Sequence, residues 1–102
     1  MEKLTNAYKL ELLNALSDLE INSEDFDHQL EDSNTTTANC SKQFETENLN
    51  VGIILKETVE WEAYDYYETK KVEIEDIEVI CLNGHIEIGL HMKTQLENTL
   101  NY

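Results

Sequence analysis

Arginine and proline are absent from this chain; glycine occurs three times, cysteine twice and tryptophan once. Each shortage closes a route. Without arginine the chain lacks the planar fork that grips phosphate, so direct nucleic-acid binding is not expected. Two cysteines, Cys40 and Cys81, are too few for a disulfide scaffold. The opening Met1-Glu2-Lys3-Leu4-Thr5-Asn6 is of mixed charge and has no signal-peptide core. No stretch reaches the roughly 20 apolar residues that cross a bilayer. The expected location is therefore the cytoplasm, with two reduced, packed thiols. There the Asn34-Thr35-Thr36 and Asn39-Cys40-Ser41 sequons carry no glycan. With no Pro and no linker composition, the 102 residues read as one domain, 1–102.

What is abundant is negative charge. Asp and Glu number 22 against 7 Lys, a formal net charge of -15. Such a surface repels anionic membrane leaflets, and its self-repulsion in the folded state suggests a compensating use. Apolar residues make up 40%, enough for a packed core despite the charge.

Leu4, Tyr8, Leu12, Leu16 and Leu19 recur at helical steps, which predicts an amphipathic helix over about Lys3–Leu19. Asn22 can end it in a left-handed conformation. Ser23 can cap a short second helix to about Leu30, with Glu24 and Asp25 in its first turn. Thr36, Ala38, Cys40 and Phe44 alternate with polar residues as an edge strand, interrupted by Lys42, a residue that discourages edge pairing. Val51, Ile53, Leu55, Val59, Trp61 and Ala63 hold one face of a long strand. A loop is expected at Asp65–Thr69. A second long strand follows, in which Val72 and Ile74 are out of phase with Ile77, Val79 and Cys81. That slip predicts a β-bulge near Glu75-Asp76. Asn83-Gly84 predicts a two-residue hairpin pairing Leu82 with His85 and Cys81 with Ile86. Leu96 and Leu100 suggest a short closing helix within His91–Asn101. The expected fold class is α+β: a three- or four-stranded antiparallel meander, an N-terminal helix with a short second helix, and a short C-terminal helix, the helices on one face.

The acids cluster. One run holds Asp18, Glu20, Glu24, Asp25, Asp27, Glu31 and Asp32; another holds Glu57, Glu60, Glu62, Asp65, Glu68, Glu73, Glu75, Asp76 and Glu78, relieved by Lys70 and Lys71. Strand residues i and i+2 share a face about 6–7 Å apart, a spacing comparable to that of neighbouring phosphates on a DNA strand. Glu60 with Glu62, and Glu73 with Glu75, fit that ruler. For any one cluster a solvated face is the plainer reading; the total charge favours a surface made to meet a basic partner. Tyr64, Tyr66 and Tyr67 crowd the hairpin turn, too many to bury together. They are candidate anchors for a partner, because tyrosine is common in binding hot spots and cations stack on its ring.

Catalysis and metal binding find little support. Asp25-Phe26-Asp27 lacks the glycine and closing glutamate of a calcium loop. Cys81 and His85 fall on opposite faces in the hairpin register, which separates them as metal ligands or as a nucleophile pair. No phosphate loop occurs, and no cofactor is expected.

In size, charge and order of elements, from the leading helix through Val72-Glu73-Ile74-Glu75-Asp76-Ile77-Glu78-Val79 to Asn83-Gly84 and the closing helix, the chain resembles small proteins of bacteriophages and mobile elements. Anti-CRISPR and anti-restriction proteins that imitate DNA are similar in type. The resemblance implies a non-catalytic inhibitor or decoy acting in a host cytoplasm on the basic groove of a nucleic-acid-handling protein. The alternative is a small interaction module, an assembly component or an allosteric inhibitor, whose acidity only gives solubility. An edge strand at Thr35–Phe44 would also permit a homodimer.

Overall fold

The alternation along Val51–Ala63 decides the architecture. A strand with one apolar face must bury that face and can leave the other in water. The computed structural model describes residues 4–26, 35–63 and 66–100. It runs α1 (Asn6–Asp18), a single 3-10 turn (Ser23–Asp25), β1 (Thr35–Glu45), β2 (Leu49–Ala63), β3 (Tyr66–Cys81), β4 (Gly84–Ile86) and α2 (Leu90–Glu97). The strands form one antiparallel sheet in the order β1-β2-β3-β4. Both helices pack on the same face of it, so the α+β meander is as read from the sequence. At about 3.3 Å per residue, the 15 residues of β2 account for the 48 Å long axis of the molecule.

Leu12 and Leu16 of α1, Leu96 of α2, and Ile21 and Phe26 beside the 3-10 turn close over Val51, Ile53, Leu55, Ile74 and Val79. Thr5 caps α1, its hydroxyl accepting from the Tyr8 amide at 3.2 Å. Asn22 is not a left-handed stop: α1 ends at Leu19 with extended backbone. The Asn22 amide instead donates to the Asp25 carboxylate at 3.0 Å, capping the 3-10 turn that follows. The continuation of a second helix to Leu30 lies outside the described residues.

Glu11 ties α1 to the β1–β2 turn. Its carboxylate accepts from the Thr46 hydroxyl, from the Asn48 amide at 3.0 Å and from the Asn48 side chain at 2.7 Å. At the other side of the sheet β4 spans only three residues, and α2 serves the edge of β3 beyond it. Glu97 accepts from the Ile74 amide at 2.6 Å, and Lys93 donates to the Glu75 carbonyl at 2.9 Å.

The bulge falls where the phase slip placed it: Ile54 pairs with Asp76 and Leu55 with Ile74, leaving Glu75 as the extra residue. Two more irregularities leave Lys70 and Glu62 without a partner in the register. The expected loop at Asp65–Thr69 is mostly strand, because β3 begins at Tyr66, paired with Ala63. The β3–β4 turn also differs. Cys81 pairs with Gly84, Ile80 with His85 and Val79 with Ile86, so the turn residues are Leu82 and Asn83. Gly84 follows them at φ 122°, a conformation that side chains rarely adopt. The register thus differs by two residues from the expected one. A shift of two preserves faces, and His85 still points to the opposite face of the sheet from Cys81.

Truncating Leu16 to Ala is expected to cost about 2–5 kcal/mol in urea unfolding, as for other buried leucines. The hydrogen bonds to Glu11 hold its carboxyl below the ordinary range, led by the Thr46 hydroxyl and the Asn48 side chain. Its contribution is therefore full above the unfolded value, ~4.3, and is lost as pH falls through the lower folded value. Glu11→Gln should be less stable than wild type near neutrality, by up to about 1 kcal/mol at this half-buried, solvent-screened position. Unfolding measured from pH 7 to 2.5 should show the two proteins converging in acid.

Candidate functional site: the open face of the sheet

The face of the sheet away from the helices is a grid set by the register. Its rows, read across β1, β2 and β3, are Gln43–Gly52–Glu78, Ser41–Ile54–Asp76, Asn39–Lys56–Glu73 and Thr37–Thr58–Lys71. Glu60 and Glu68 face each other further out, beside Thr35. Of the predicted partner-binding acids, Glu60, Glu68, Glu73, Glu75, Asp76 and Glu78 are brought together here, with Glu62 exposed nearby.

The lysines divide this face in two. In the half beyond the bulge, Lys70 reaches Glu68 at 3.2 Å and Glu60 at 3.6 Å. Lys71 and Lys56 flank Glu73 at 3.2 and 3.8 Å. The Glu68 carboxylate, with Glu60 behind it, pushes the Lys70 ammonium above its usual range. Pairs this exposed are worth little in stability, ~0–1 kcal/mol each. Their effect is on the field, since each lysine cancels a carboxylate locally. In the other half, Asp76 and Glu78 have no ion pair among the described residues. Glu75 accepts from the Asn39 side chain.

The i, i+2 ruler of carboxylates is interrupted for a physical reason. Glu62 and Glu75 are the extra residues of two strand irregularities, and a bulge breaks the regular alternation of the strand that carries it. Asp76 and Glu78 remain as a regular pair.

Three expectations are corrected. Glu57 is not a surface contact: it is fully buried on the helix-side face, between Leu55 and Val59, where the Thr69 hydroxyl donates to it at 3.1 Å. Tyr67 also turns to that face, against Trp61, with ring centroids 4.7 Å apart. It cannot act as an anchor among the outer-face acids. Trp61 is core, as its phase implied, and its indole donates to Thr36 at 2.8 Å. Lys42 does not simply blunt the edge of β1. It points to the helix side and meets Asp25 at 2.8 Å; that contact holds the Asp25 carboxyl below its ordinary range and raises the Lys42 ammonium.

Glu24 and Asp25 therefore belong to the helix side of the sheet, away from the outer-face acids. Tyr64, Asp65, Asp27, Glu31 and Asp32 lie outside the described residues, as does the Tyr66 side chain. Cys40 and Cys81 are buried free thiols, and burial pushes the Cys40 thiol up. Among the described residues no cluster of His, Cys, Asp or Glu is arranged to hold a metal ion, and no helix is long and apolar enough to cross a membrane.

Sequence reasoning missed the features that give the outer face its character. Gly52, Ile54 and Ile80 lie among polar neighbours, and only the strand register places them beside Asp76 and Glu78. The signal was present in the phase of β2, where Gly52, Ile54 and Lys56 share the outward face.

Glu57→Ala is expected to cost roughly 1–3 kcal/mol, since it removes a fully buried side chain and the acceptor of the half-buried Thr69 hydroxyl. Glu60→Gln, at the surface, should change stability by less than about 0.5 kcal/mol. Urea midpoints for the two variants check the assignment of Glu57 to the core rather than to a binding surface. No protein-family model, no curated protein and no solved structure matches the chain.

Proposed function

We propose that this chain is a non-catalytic binding protein, a decoy or inhibitor, that docks its open sheet face onto a basic surface of a nucleic-acid-handling protein. The observation that carries the reading is the one-sided fold. Both helices cover a single face, and the opposite face presents carboxylates to water in a chain with a net charge of -15 and no arginine. Such a face steers a cationic partner by long-range attraction. This mode of action is that of the anti-CRISPR and anti-restriction proteins the chain resembles, and it fits a phage-borne protein working in a host cytoplasm.

The lysine network narrows the mode of contact. A faithful copy of a phosphate strip would carry unbroken negative charge, whereas Lys56, Lys70 and Lys71 interleave with the acids of the outer half. The half bearing Asp76 and Glu78 is the better docking surface. A second reading, an interaction module that binds through apolar contacts, is favoured by Leu82 and Leu90, 97% and 79% exposed near the β4 end of the sheet.

The test uses the immobilised protein and lysate of a bacterial host, washed with rising salt and with competing duplex DNA. The proposal expects a basic nucleic-acid-handling protein to be released by both, because exposed ionic contacts are screened over ~10 Å at 0.1 M salt. Once that partner is purified, Asp76→Asn with Glu78→Gln should weaken binding at least tenfold. Glu60→Gln with Glu73→Gln should weaken it less, since lysines already neutralise those carboxylates. A partner that survives high salt and is lost on Leu82→Ser with Leu90→Ser would support the module reading instead.

A further inference from the structure

Gly52 stands inside β2, its fourth residue, where a strand gains nothing from glycine. Its φ is not positive, the sole positive-φ glycine being Gly84, so the backbone does not require it. Nor does packing: a Cβ built at Gly52 meets nothing within 4 Å. A β-branched residue would serve the strand better, and glycine inside a strand commonly marks the close approach of another group.

The missing side chain leaves a dent in the open face. Gln43 and Glu78 flank it in its own row, and Ser41, Ile54 and Asp76 occupy the next. Ile80 and Asn50 close the other side, with Ile54 still 37% exposed. The two adjoining depressions are about 250 Å³ each, below the ~300–1,000 Å³ of small-molecule pockets. Their size suits a single side chain. Their chemistry is divided: isoleucines above and below, carboxylates on the β3 side, and on the β1 side an amide, a hydroxyl and Lys42, whose ammonium is held by Asp25 at 2.8 Å.

Resting on the reading of this face as a docking surface for a basic protein, we infer that the dent at Gly52 receives one long cationic side chain, arginine or lysine, from that partner. The aliphatic stem lies over Gly52 between Ile54 and Ile80, as such stems cover apolar surface while the charged head remains polar-solvated. The head meets Asp76 and Glu78, which have no ion pair among the described residues, and Gln43 offers a further acceptor. Charge complementarity selects this occupant over a second copy of the chain, whose own outer face is equally acidic.

The test titrates the isotope-labelled protein with an acetylated Gly-Arg-Gly-Arg-Gly amide at low salt, followed by amide NMR shifts. The same peptide with citrulline for arginine serves as the uncharged comparison. The inference expects saturable shifts centred on Gly52, Gln43, Ile54 and Glu78, and tighter binding of the arginine peptide. Gly52→Val should fill the dent, keep or raise Tm, and weaken the peptide at least tenfold. Ile54→Lys, at an exposed position, should do the same by placing a cation of the protein's own there, and it remains informative if Gly52→Val folds poorly. If both variants bind the arginine peptide as tightly as wild type, the dent is not the site, while the acidic face stands as a binding surface. If wild type does not distinguish arginine from citrulline, both readings fall.

Discussion

The pairing of β2 with β3 is the constraint on which everything else depends. These two strands, 15 and 16 residues long, form the spine of the molecule. Antiparallel alternation sends every second residue of each toward the helices and the others into water. Hydrophobic burial then acts on one side only. Leu12, Leu16 and Leu96 have a single apolar face to cover, and the sheet keeps its other face free. The edges are handled by separate devices. Lys42 with Asp25 occupies the helix side of β1, while Glu97 and Lys93 of α2 satisfy main-chain groups of β3 beside the bulge.

The same alternation sorts the charge. A chain this acidic could spread its repulsion evenly, but the register places Lys56, Lys70 and Lys71 within reach of Glu60, Glu68 and Glu73. The long hairpin thereby relieves its own repulsion around Glu60, Glu68 and Glu73. On the other side of the bulge, Asp76 and Glu78 are left to face solvent.

Much of the fold was legible because apolar periodicity is local. The leucine spacing of α1 and the alternation of Val51–Ala63 needed only neighbouring residues, and the slip between Ile74 and Ile77 located the bulge at Glu75. The β3–β4 register was read two residues out because Gly84 takes the positive φ just after the turn rather than inside it. Its faces were nevertheless right, since strand faces repeat every two residues. The site was less legible. Glu57 counted as one more acid until the register put it between Leu55 and Val59 in the core, and Tyr67 counted as a free ring until Trp61 faced it.

The sequence by itself determined the class of fold, one face buried and one open, and an acidic surface without arginine, because composition and periodicity are properties of the chain alone. Which carboxylates are neutralised, which one is buried, and that Gly52 opens a gap between Ile54 and Ile80 beside Asp76 and Glu78 were decided by the tertiary structure. Those facts depend on which residues of three different strands share a row. A row is fixed by bulges and turns, each of which can shift a whole strand's partners while leaving its own pattern unchanged.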